Sequence, residues 1–134
     1  MPLTALIASI ALLLYFYTLY RVIDARIKYK VLPPHDNGPE KFLCIQAAHR
    51  NSTEQLVLFL PSLWLFSVFV SQPVGAMLGL LWIVGRILYV RGYYRKAEDR
   101  LLGFIIALLV SLILLVGGMI GSAMDVAPYL SVNW

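Results

Sequence analysis

Long stretches without charge alternate with short charged ones along the 134 residues of the chain. Residues 2–20 and 101–124 contain no charged side chain, and a helix of about 20 residues is enough to cross a hydrocarbon core of about 30 Å. The prolines and the glycine of residues 33–39 break the helical pattern after the first stretch. The pattern therefore predicts a first membrane helix over about residues 2–30 and a last one over about residues 98–124.

The middle of the chain contains the longest uncharged stretch, residues 55–85. As a single helix this stretch would measure about 46 Å, which exceeds the thickness of a bilayer core. Ser71-Gln72-Pro73 is therefore expected to form a tight turn on the far side of the membrane. Each half is short, so both helices must draw in neighbouring polar residues, and we predict helices over about residues 40–71 and 74–96. The chain, residues 1–134, is thus predicted to be one all-α integral membrane domain, a bundle of four transmembrane helices.

Composition and charge agree with a membrane protein. Hydrophobic residues make up 60% of the sequence and the mean hydropathy is +0.79, which argues against a soluble domain. All 11 basic residues fall in two blocks, Arg21–Arg50 and Arg86–Arg100. By the positive-inside rule, both blocks are expected on the cytoplasmic side and both termini on the opposite side. Because these charges flank apolar spans, nucleic-acid binding is not expected.

The sequence predicts neither a disulfide nor a metal site. The single cysteine, Cys44, excludes an intrachain disulfide and is interpreted as a small packing residue. His35 and Asp36 lie in the first loop without a second pair of ligands at a usable spacing, so no metal is expected. Three small residues of the last span are interpreted as a helix-packing face: Gly117, Gly118 and Gly121.

A polar segment, residues 46–56, runs without any turn residue into the apolar second span. On a helix of 3.6 residues per turn, Asn51 and Glu54 share one face, whereas His49 points to the opposite face. Ionisable groups at membrane depth cost roughly 2.5–3.5 kcal/mol each, so this segment is a candidate functional site. An interfacial salt bridge between Arg50 and Glu54 is the structural alternative.

The third span carries a second polar face, with spacing i, i+3, i+7, i+10 and i+14: Arg86, Tyr89, Tyr93, Lys96 and Arg100. This face is continuous if the helix runs that far. Counting helix rise from the turn at Pro73 puts it at a depth similar to that of Asn51 and Glu54, near the cytoplasmic boundary. Arg91 and Arg95 point the other way and are expected to reach lipid headgroups.

The order and spacing of these residues resemble the MAPEG family, the membrane-associated proteins in eicosanoid and glutathione metabolism. The resemblance covers about residues 21–121. Its first motifs are Ala25-Arg26, Pro33-Pro34, Gly38-Pro39, Ala48-His49-Arg50-Asn51 with Glu54, and Leu60-Pro61. Helix three adds Gly85-Arg86, Tyr89, Gly92-Tyr93 and Arg100. The resemblance implies a homotrimer of four-helix subunits that holds glutathione at each subunit interface, near the cytoplasmic face.

The resemblance also implies a role for each polar residue. Six residues match family positions that hold glutathione: Asn51, Glu54, Arg86, Tyr89, Tyr93 and Arg100. Two match positions that reach in from the neighbouring subunit: Arg26 and His49. Glu54 would take the amino group of glutathione, and Arg26 and Arg86 its carboxylates. Arg100 matches the catalytic arginine, and a nearby cation lowers the pKa of a thiol, ordinarily about 8.5, by roughly 1–3 units.

Three positions depart from the family pattern. Many members have an arginine where this chain has Ala47, so one carboxylate contact is missing unless Arg50 or Gln46 replaces it. Ile27 and Leu101 stand where different eicosanoid synthases of the family carry an arginine or a serine. The chain therefore looks more like a general microsomal-type glutathione transferase than a dedicated eicosanoid synthase.

The leading hypothesis is an enzyme that conjugates glutathione to lipophilic electrophiles, with glutathione-dependent reduction of lipid hydroperoxides as a further activity. Its partners would be glutathione, a lipophilic substrate, membrane lipid and two further copies of the chain. One alternative is a small four-helix transporter that uses Glu54 as a coupling carboxylate. Another is a glutathione-binding member of the same fold without turnover, which the departure at Ala47 would suit.

Overall fold

The computed structural model describes residues 1–132, which form four long helices joined by short connections. Their bounds are α1 Pro2–Tyr29, α2 Glu40–Phe69, α3 Gln72–Arg95 and α4 Leu101–Val132, and a 3-10 turn, Ala97–Arg100, precedes α4. All four helices are long and apolar enough to cross a membrane. The all-α architecture with four spans is thus confirmed, and the protein is an integral, multi-pass membrane protein.

The connections follow local backbone chemistry. Helix α1 ends where Lys30 adopts a left-handed conformation, φ 58°, and donates its backbone N–H to the Arg26 carbonyl. Helix α3 begins after Ser71, whose hydroxyl accepts from the Val74 N–H at 3.3 Å, and Pro73 occupies its first turn. A tight turn is therefore present close to the expected place, but it is formed by Val70 and Ser71, because Gln72 and Pro73 already belong to α3.

The fourth helix is longer than its sequence pattern predicts. It was expected to end near Met124, yet α4 continues to Val132 and includes Pro128. No helix-breaking residue precedes Pro128 after the apolar span, and residues 125–132 are exposed beyond the packed part of the bundle. Uncharged length predicts where a span crosses the hydrocarbon core, but it does not predict where the helix itself ends.

The helices alternate in direction, so the chain begins and the last helix ends at the same end of the bundle. The Leu3 N–H donates to the Gln72 Oε1 at 3.1 Å, which joins the start of α1 to the start of α3. At the centre, the ring of Phe59 stacks on that of Trp82 with centroids 3.9 Å apart and planes 6° apart. Large apolar side chains cover the outer surface, as a hydrocarbon environment requires.

Glycines allow α4 to pack closely against its neighbours. An added Cβ at Gly118 would lie 2.8 Å from the Leu65 Cβ, and one at Gly121 would lie 2.7 Å from the Phe69 carbonyl oxygen. The helix-packing interpretation of these residues is confirmed. Gly103, at the start of α4, lies directly against the backbone of Tyr89, so it determines how closely α4 approaches the polar part of α3.

Candidate functional site

Arg86 lies at the centre of the polar cluster, almost completely enclosed by protein, with 1% of its surface exposed. Its Nη1 donates to the Asn51 Oδ1 at 2.9 Å and its Nη2 donates to the Ser52 Oγ at 3.0 Å. Within residues 1–132 no carboxylate forms an ion pair with this guanidinium. A buried cation is costly unless it is paired and hydrogen-bonded, so two neutral oxygens leave Arg86 short of a negative partner.

Ser52 was missed by the sequence reasoning. Its hydroxyl donates to the Ala48 carbonyl at 2.7 Å, which leaves an oxygen lone pair to accept from Arg86. Serine commonly forms a hydrogen bond to the preceding turn of its own helix, so a serine at this position does not by itself indicate a functional role. The sequence does contain one indication of its role. Ser52 is adjacent to Asn51, in a helix that must face an arginine of another helix.

One tyrosine ring covers the Arg86 guanidinium, and a second tyrosine packs against that ring. Its Cζ lies 4.1 Å from the centroid of the Tyr89 ring, within the range of a cation–π contact. Tyr93 meets Tyr89 edge to face, with centroids 5.6 Å apart and planes at 89°. Phe104 of α4 also packs against Tyr89, with ring centroids 6.2 Å apart. The aromatic rings therefore connect the buried arginine to the polar end of the bundle.

Arg100 joins this cluster from the 3-10 turn. Its guanidinium lies 5.3 Å from the centroid of the Tyr93 ring and also donates to the Ala97 carbonyl. The side chain is exposed. Contacts therefore run without a break from Asn51 through Arg86, Tyr89 and Tyr93 to Arg100.

The continuous face expected along helix three stops before Lys96. Helix α3 ends at Arg95 and Lys96 is extended, so Lys96 and Arg100 do not continue the helical spacing of Arg86 and Tyr93. The reason is Gly92, which lies directly against the Asp99 carbonyl and so lets the chain fold back over the end of α3. Arg100 reaches Tyr93 through this turn.

Glu54 lies one turn beyond Asn51 on α2 and is exposed. In the part of the chain that the structure describes it forms no ion pair. The salt bridge with Arg50, the structural alternative for this segment, is therefore not observed. Arg50 instead approaches Asp36 of the first loop, with its Nη2 3.8 Å from the Asp36 Oδ2.

Arg26 turns toward the loop that follows its own helix. Its Nη1 donates to the carbonyls of Val31 and His35, at 3.1 and 2.7 Å, and its Nη2 donates to the Asp36 Oδ1 at 3.0 Å. Gln46 donates to the same oxygen at 2.8 Å. These hydrogen bonds, the one from Arg26 first, hold the pKa of the Asp36 carboxyl below its ordinary value. Gln46 and Arg50, considered as replacements for the arginine absent at position 47, both face Asp36.

His49 faces α1, away from Arg86. Its ring stacks on Tyr15 with centroids 4.9 Å apart, and its Nδ1 lies 3.0 Å from the Thr18 Oγ1. Thr53 donates to the Tyr15 hydroxyl at 3.0 Å. Within one subunit the structure thus brings together Asn51, Arg86, Tyr89, Tyr93 and Arg100, leaves Glu54 exposed beside them, and keeps Arg26 and His49 on other surfaces.

An open cavity of about 480 Å³ lies at the polar end of the cluster, between α2 and the 3-10 turn. Its lining combines charged, amide and small residues: Asp36, Glu40, Leu43, Cys44, Gln46, Ala47, Arg50, Tyr93 and Ala97. Tyr93 is the residue that belongs both to this cavity and to the chain of contacts leading to Arg86. A charged ligand of moderate size can therefore approach the cluster from this side.

Comparison with known proteins gives matches over most of the chain. The sequence profile of the MAPEG family matches residues 4–120. An uncharacterized protein of Synechocystis sp. is 44% identical over 87% of this chain and 85% of its own length. Human microsomal glutathione S-transferase 2 is 36% identical over 87% and 80%, and bovine leukotriene C4 synthase is 39% identical over 72% and 67%. The chain belongs to the MAPEG family.

Proposed function

We propose that the protein is a membrane glutathione transferase that transfers the glutathione thiolate to lipophilic electrophiles. The observation that carries the proposal is Arg86, a buried guanidinium held by two neutral oxygens and without a carboxylate partner among the described residues. A ligand carboxylate would supply the missing charge. Similarity to microsomal glutathione S-transferase 2 supports glutathione, a peptide with two carboxylates, as this ligand.

The other residues of the cluster would hold the rest of glutathione. Asn51 and the hydroxyls of Tyr89 and Tyr93 would bond its peptide groups, and the exposed Glu54 would bind its amino group. Arg26 and His49 face away from this cluster within one subunit, so they would contribute only to the site of a neighbour in a homotrimer. The site would open to the cytoplasm, because the basic residues that surround it concentrate at that end of the bundle.

Arg100 would act on the sulfur. A free thiol is only a few per cent ionised at neutral pH, and a fixed cation beside it favours the thiolate. Arginine suits this role because it stays charged in a partly dry site. The thiol proton leaves to water, the thiolate forms a carbon–sulfur bond with the electrophile, and the displaced group leaves with the electron pair. With a lipid hydroperoxide, the same thiolate would attack the terminal peroxide oxygen and become the sulfenic acid of glutathione, while the lipid alkoxide leaves and takes a proton from water. The thiol of a second glutathione would then displace the hydroxyl of the sulfenic acid as water, which gives glutathione disulfide.

The test uses purified protein in detergent. Adding glutathione should produce the ultraviolet absorbance of a thiolate, and an electrophile such as 1-chloro-2,4-dinitrobenzene should be conjugated. Arg100→Ala should keep glutathione binding and lose most of the conjugation, about a hundredfold or more if the charge lowers the barrier by about 3 kcal/mol. Lys96→Ala is the matched control, because it removes a neighbouring charge outside the cluster.

Three results would contradict the proposal or part of it. Absence of both glutathione binding and the absorbance change would remove the enzyme hypothesis. Unchanged turnover in Arg100→Ala would remove Arg100 from its catalytic role. Glutathione-independent proton-coupled export that is abolished by Glu54→Gln would favour the transporter instead.

A further inference from the structure

A second basic cavity, of about 390 Å³, lies between α1 and α3 on a different face of α3 from the Arg86 cluster. Three arginines and two tyrosines line it, together with one leucine: Tyr17, Arg21, Leu88, Arg91, Tyr94 and Arg95. None of these residues belongs to the proposed glutathione site. We call this cavity the basic groove.

The basic groove lies at the level where a bilayer changes from hydrocarbon to headgroup. Leu3 and Gln72 are in contact at one end of the bundle, and α1 and α3 run in parallel from there. Arg21 follows Leu3, and Arg91 follows Gln72, by about 18 and 19 residues, which correspond to about 27 and 28 Å of helix. Since a hydrocarbon core is about 30 Å thick, both guanidinium groups are expected at the phosphate layer, and the positive-inside rule assigns this layer to the cytoplasmic leaflet.

Arg21 is held in place instead of extending freely into solvent. Its Nη1 donates to the Tyr17 hydroxyl at 3.0 Å, and its Cζ lies 4.4 Å from the centroid of the Tyr94 ring. The Tyr94 hydroxyl is buried and has no hydrogen-bond partner among residues 1–132. The groove therefore contains a positioned cation, which suits an oxygen-rich ligand.

The residues that line the basic groove include no acid, so they do not neutralise its positive charge. Across the described residues, the one ion pair of its arginines joins the Arg95 Nε to the Asp99 Oδ2 at 3.9 Å, and Arg95 is largely exposed. Asp24 lines the adjoining surface cavity together with Arg21, and two lysines of that cavity, Lys28 and Lys41, offset its negative charge. The region is therefore positive, and it favours an anion over a zwitterion.

An apolar surface continues from the basic groove toward the membrane centre. Leu81, Val84 and Leu88 precede Arg91 on α3 at spacings of three or four residues, so they form one stripe, and each is at least 40% exposed. Leu13, one turn before Tyr17, is 70% exposed on α1. An acyl chain attached to a phosphate in the groove would lie along these residues.

We propose that the basic groove binds the phosphate of an anionic membrane lipid, with the acyl chains along the adjoining apolar stripe. Guanidinium groups bind phosphate through paired, charge-assisted hydrogen bonds, and basic cavities between membrane helices on the cytoplasmic side suit such headgroups. The site is separate from the glutathione site and does not depend on its function.

Native mass spectrometry of the detergent-solubilised protein tests the proposal by counting retained lipids. The probes are phosphatidylglycerol, phosphatidylcholine with the same acyl chains, and soluble glycerol phosphate. Phosphatidylglycerol should be retained about tenfold more than phosphatidylcholine, and Arg91→Gln should remove most of this preference, because one charge-assisted contact is worth about a factor of ten. Lys96→Gln, a charge removed at the same end outside the groove, should leave the preference unchanged.

Arg91 is the better test residue, because it is exposed and its loss should not disturb the fold, whereas Arg21 packs on two rings. Equal retention of the two lipids would overturn the proposal. An equal loss of preference in Arg91→Gln and Lys96→Gln would also overturn it, since it would indicate attraction to the overall charge. Displacement of the lipid by millimolar glycerol phosphate would assign the groove to a soluble phosphate compound instead of a lipid.

Discussion

Arg86 and Arg26, the two arginines to which the family resemblance gives glutathione carboxylates, lie in opposite surroundings. Arg86 is enclosed between α2 and α3 and has neutral partners, Asn51 and Ser52. Arg26 lies near the surface and already binds a carboxylate of its own chain, Asp36. Arg86 can bind an anion directly, whereas Arg26 must release Asp36 before it binds another anion. A site built from both would be preorganised on one side and adaptable on the other.

These surroundings determine how much binding energy each arginine can supply. An anion that reaches Arg86 meets a guanidinium already removed from water, and the interaction is strong in that environment. An anion that reaches Arg26 must displace Asp36, so the net gain in binding free energy is only the difference between two ion pairs near the surface. Changes at Arg86 should therefore have the largest effects and changes at Asp36 the smallest.

Replacing Arg86 should have the largest effect on glutathione binding. Arg86→Met keeps the volume and removes the charge, and loss of a buried charged contact should weaken glutathione binding by about thirtyfold or more. The fold should survive, because an apolar side chain of similar size avoids the cost of burying a cation. Isothermal titration with glutathione and thermal unfolding in detergent measure the two effects. Wild-type affinity in Arg86→Met would show that this arginine does not meet the ligand.

Replacing Asn51 with an aspartate should give Arg86 a carboxylate partner, as Arg26 already has in Asp36. In Asn51→Asp a carboxylate would pair with Arg86, which should raise the unfolding temperature and weaken glutathione binding by about tenfold through competition. Asn51→Ala is the contrasting variant: it should destabilise the protein by about 1–3 kcal/mol, because a buried donor loses its acceptor. Opposite shifts in unfolding temperature are expected, and equal shifts would contradict the role of Arg86 as a cation without an anion.

Releasing Arg26 should have a smaller effect in the opposite direction. Asp36→Asn removes the charge that holds Arg26, so glutathione affinity should rise by roughly twofold to threefold if Arg26 contacts the ligand in a neighbouring subunit. Asp125→Asn, the same change at the other end of the bundle, is the control. Unchanged affinity in Asp36→Asn, measured by the same titration, would count against a role for Arg26 in binding.

The smallest expected effect is a pH dependence of the first loop. The pKa of Asp36 is lowered in the folded protein, chiefly by the hydrogen bond from Arg26. The carboxylate thus stabilises the fold above the ordinary pKa of an aspartate, and this contribution is lost as the pH falls through the lowered value. Wild type should unfold at a slightly higher temperature than Asp36→Asn at pH 7, and the two curves should converge in acid. A difference that does not decrease as the pH falls below the ordinary pKa of an aspartate would point to another origin.

Much of the fold follows from the sequence because a membrane imposes simple limits. A span needs about 20 apolar residues, and residues 55–85 are too many for one helix and enough for two short ones with a turn at Pro73. The helical period also places Asn51 and Glu54 together and His49 opposite, and the structure has Asn51 and His49 facing different helices. These features are local, so composition, segment length and helical periodicity are enough to predict them.

The partners of the charged groups were not predictable in this way. Arg86 bonds to Ser52 across 34 positions of the chain, and no period along either helix indicates that pair. The pairing of Arg26 with Asp36 depends on how the loop folds, and the end of α3 at Arg95 depends on the contact of Gly92 with Asp99. Each of these is an interaction between segments, which only the packed chain brings within bonding distance.

Hydrocarbon thickness and helical period act on each segment separately, so the four membrane spans and the end of the bundle where the ionisable side chains gather could be predicted from the amino-acid sequence. Only the packed chain shows that Arg86 lacks an acid, that Arg26 already has one, and that Arg100 reaches Tyr93 from the 3-10 turn. The physical reason is that the free energy of a buried charge depends on its nearest neighbours in space, and those neighbours come from other helices.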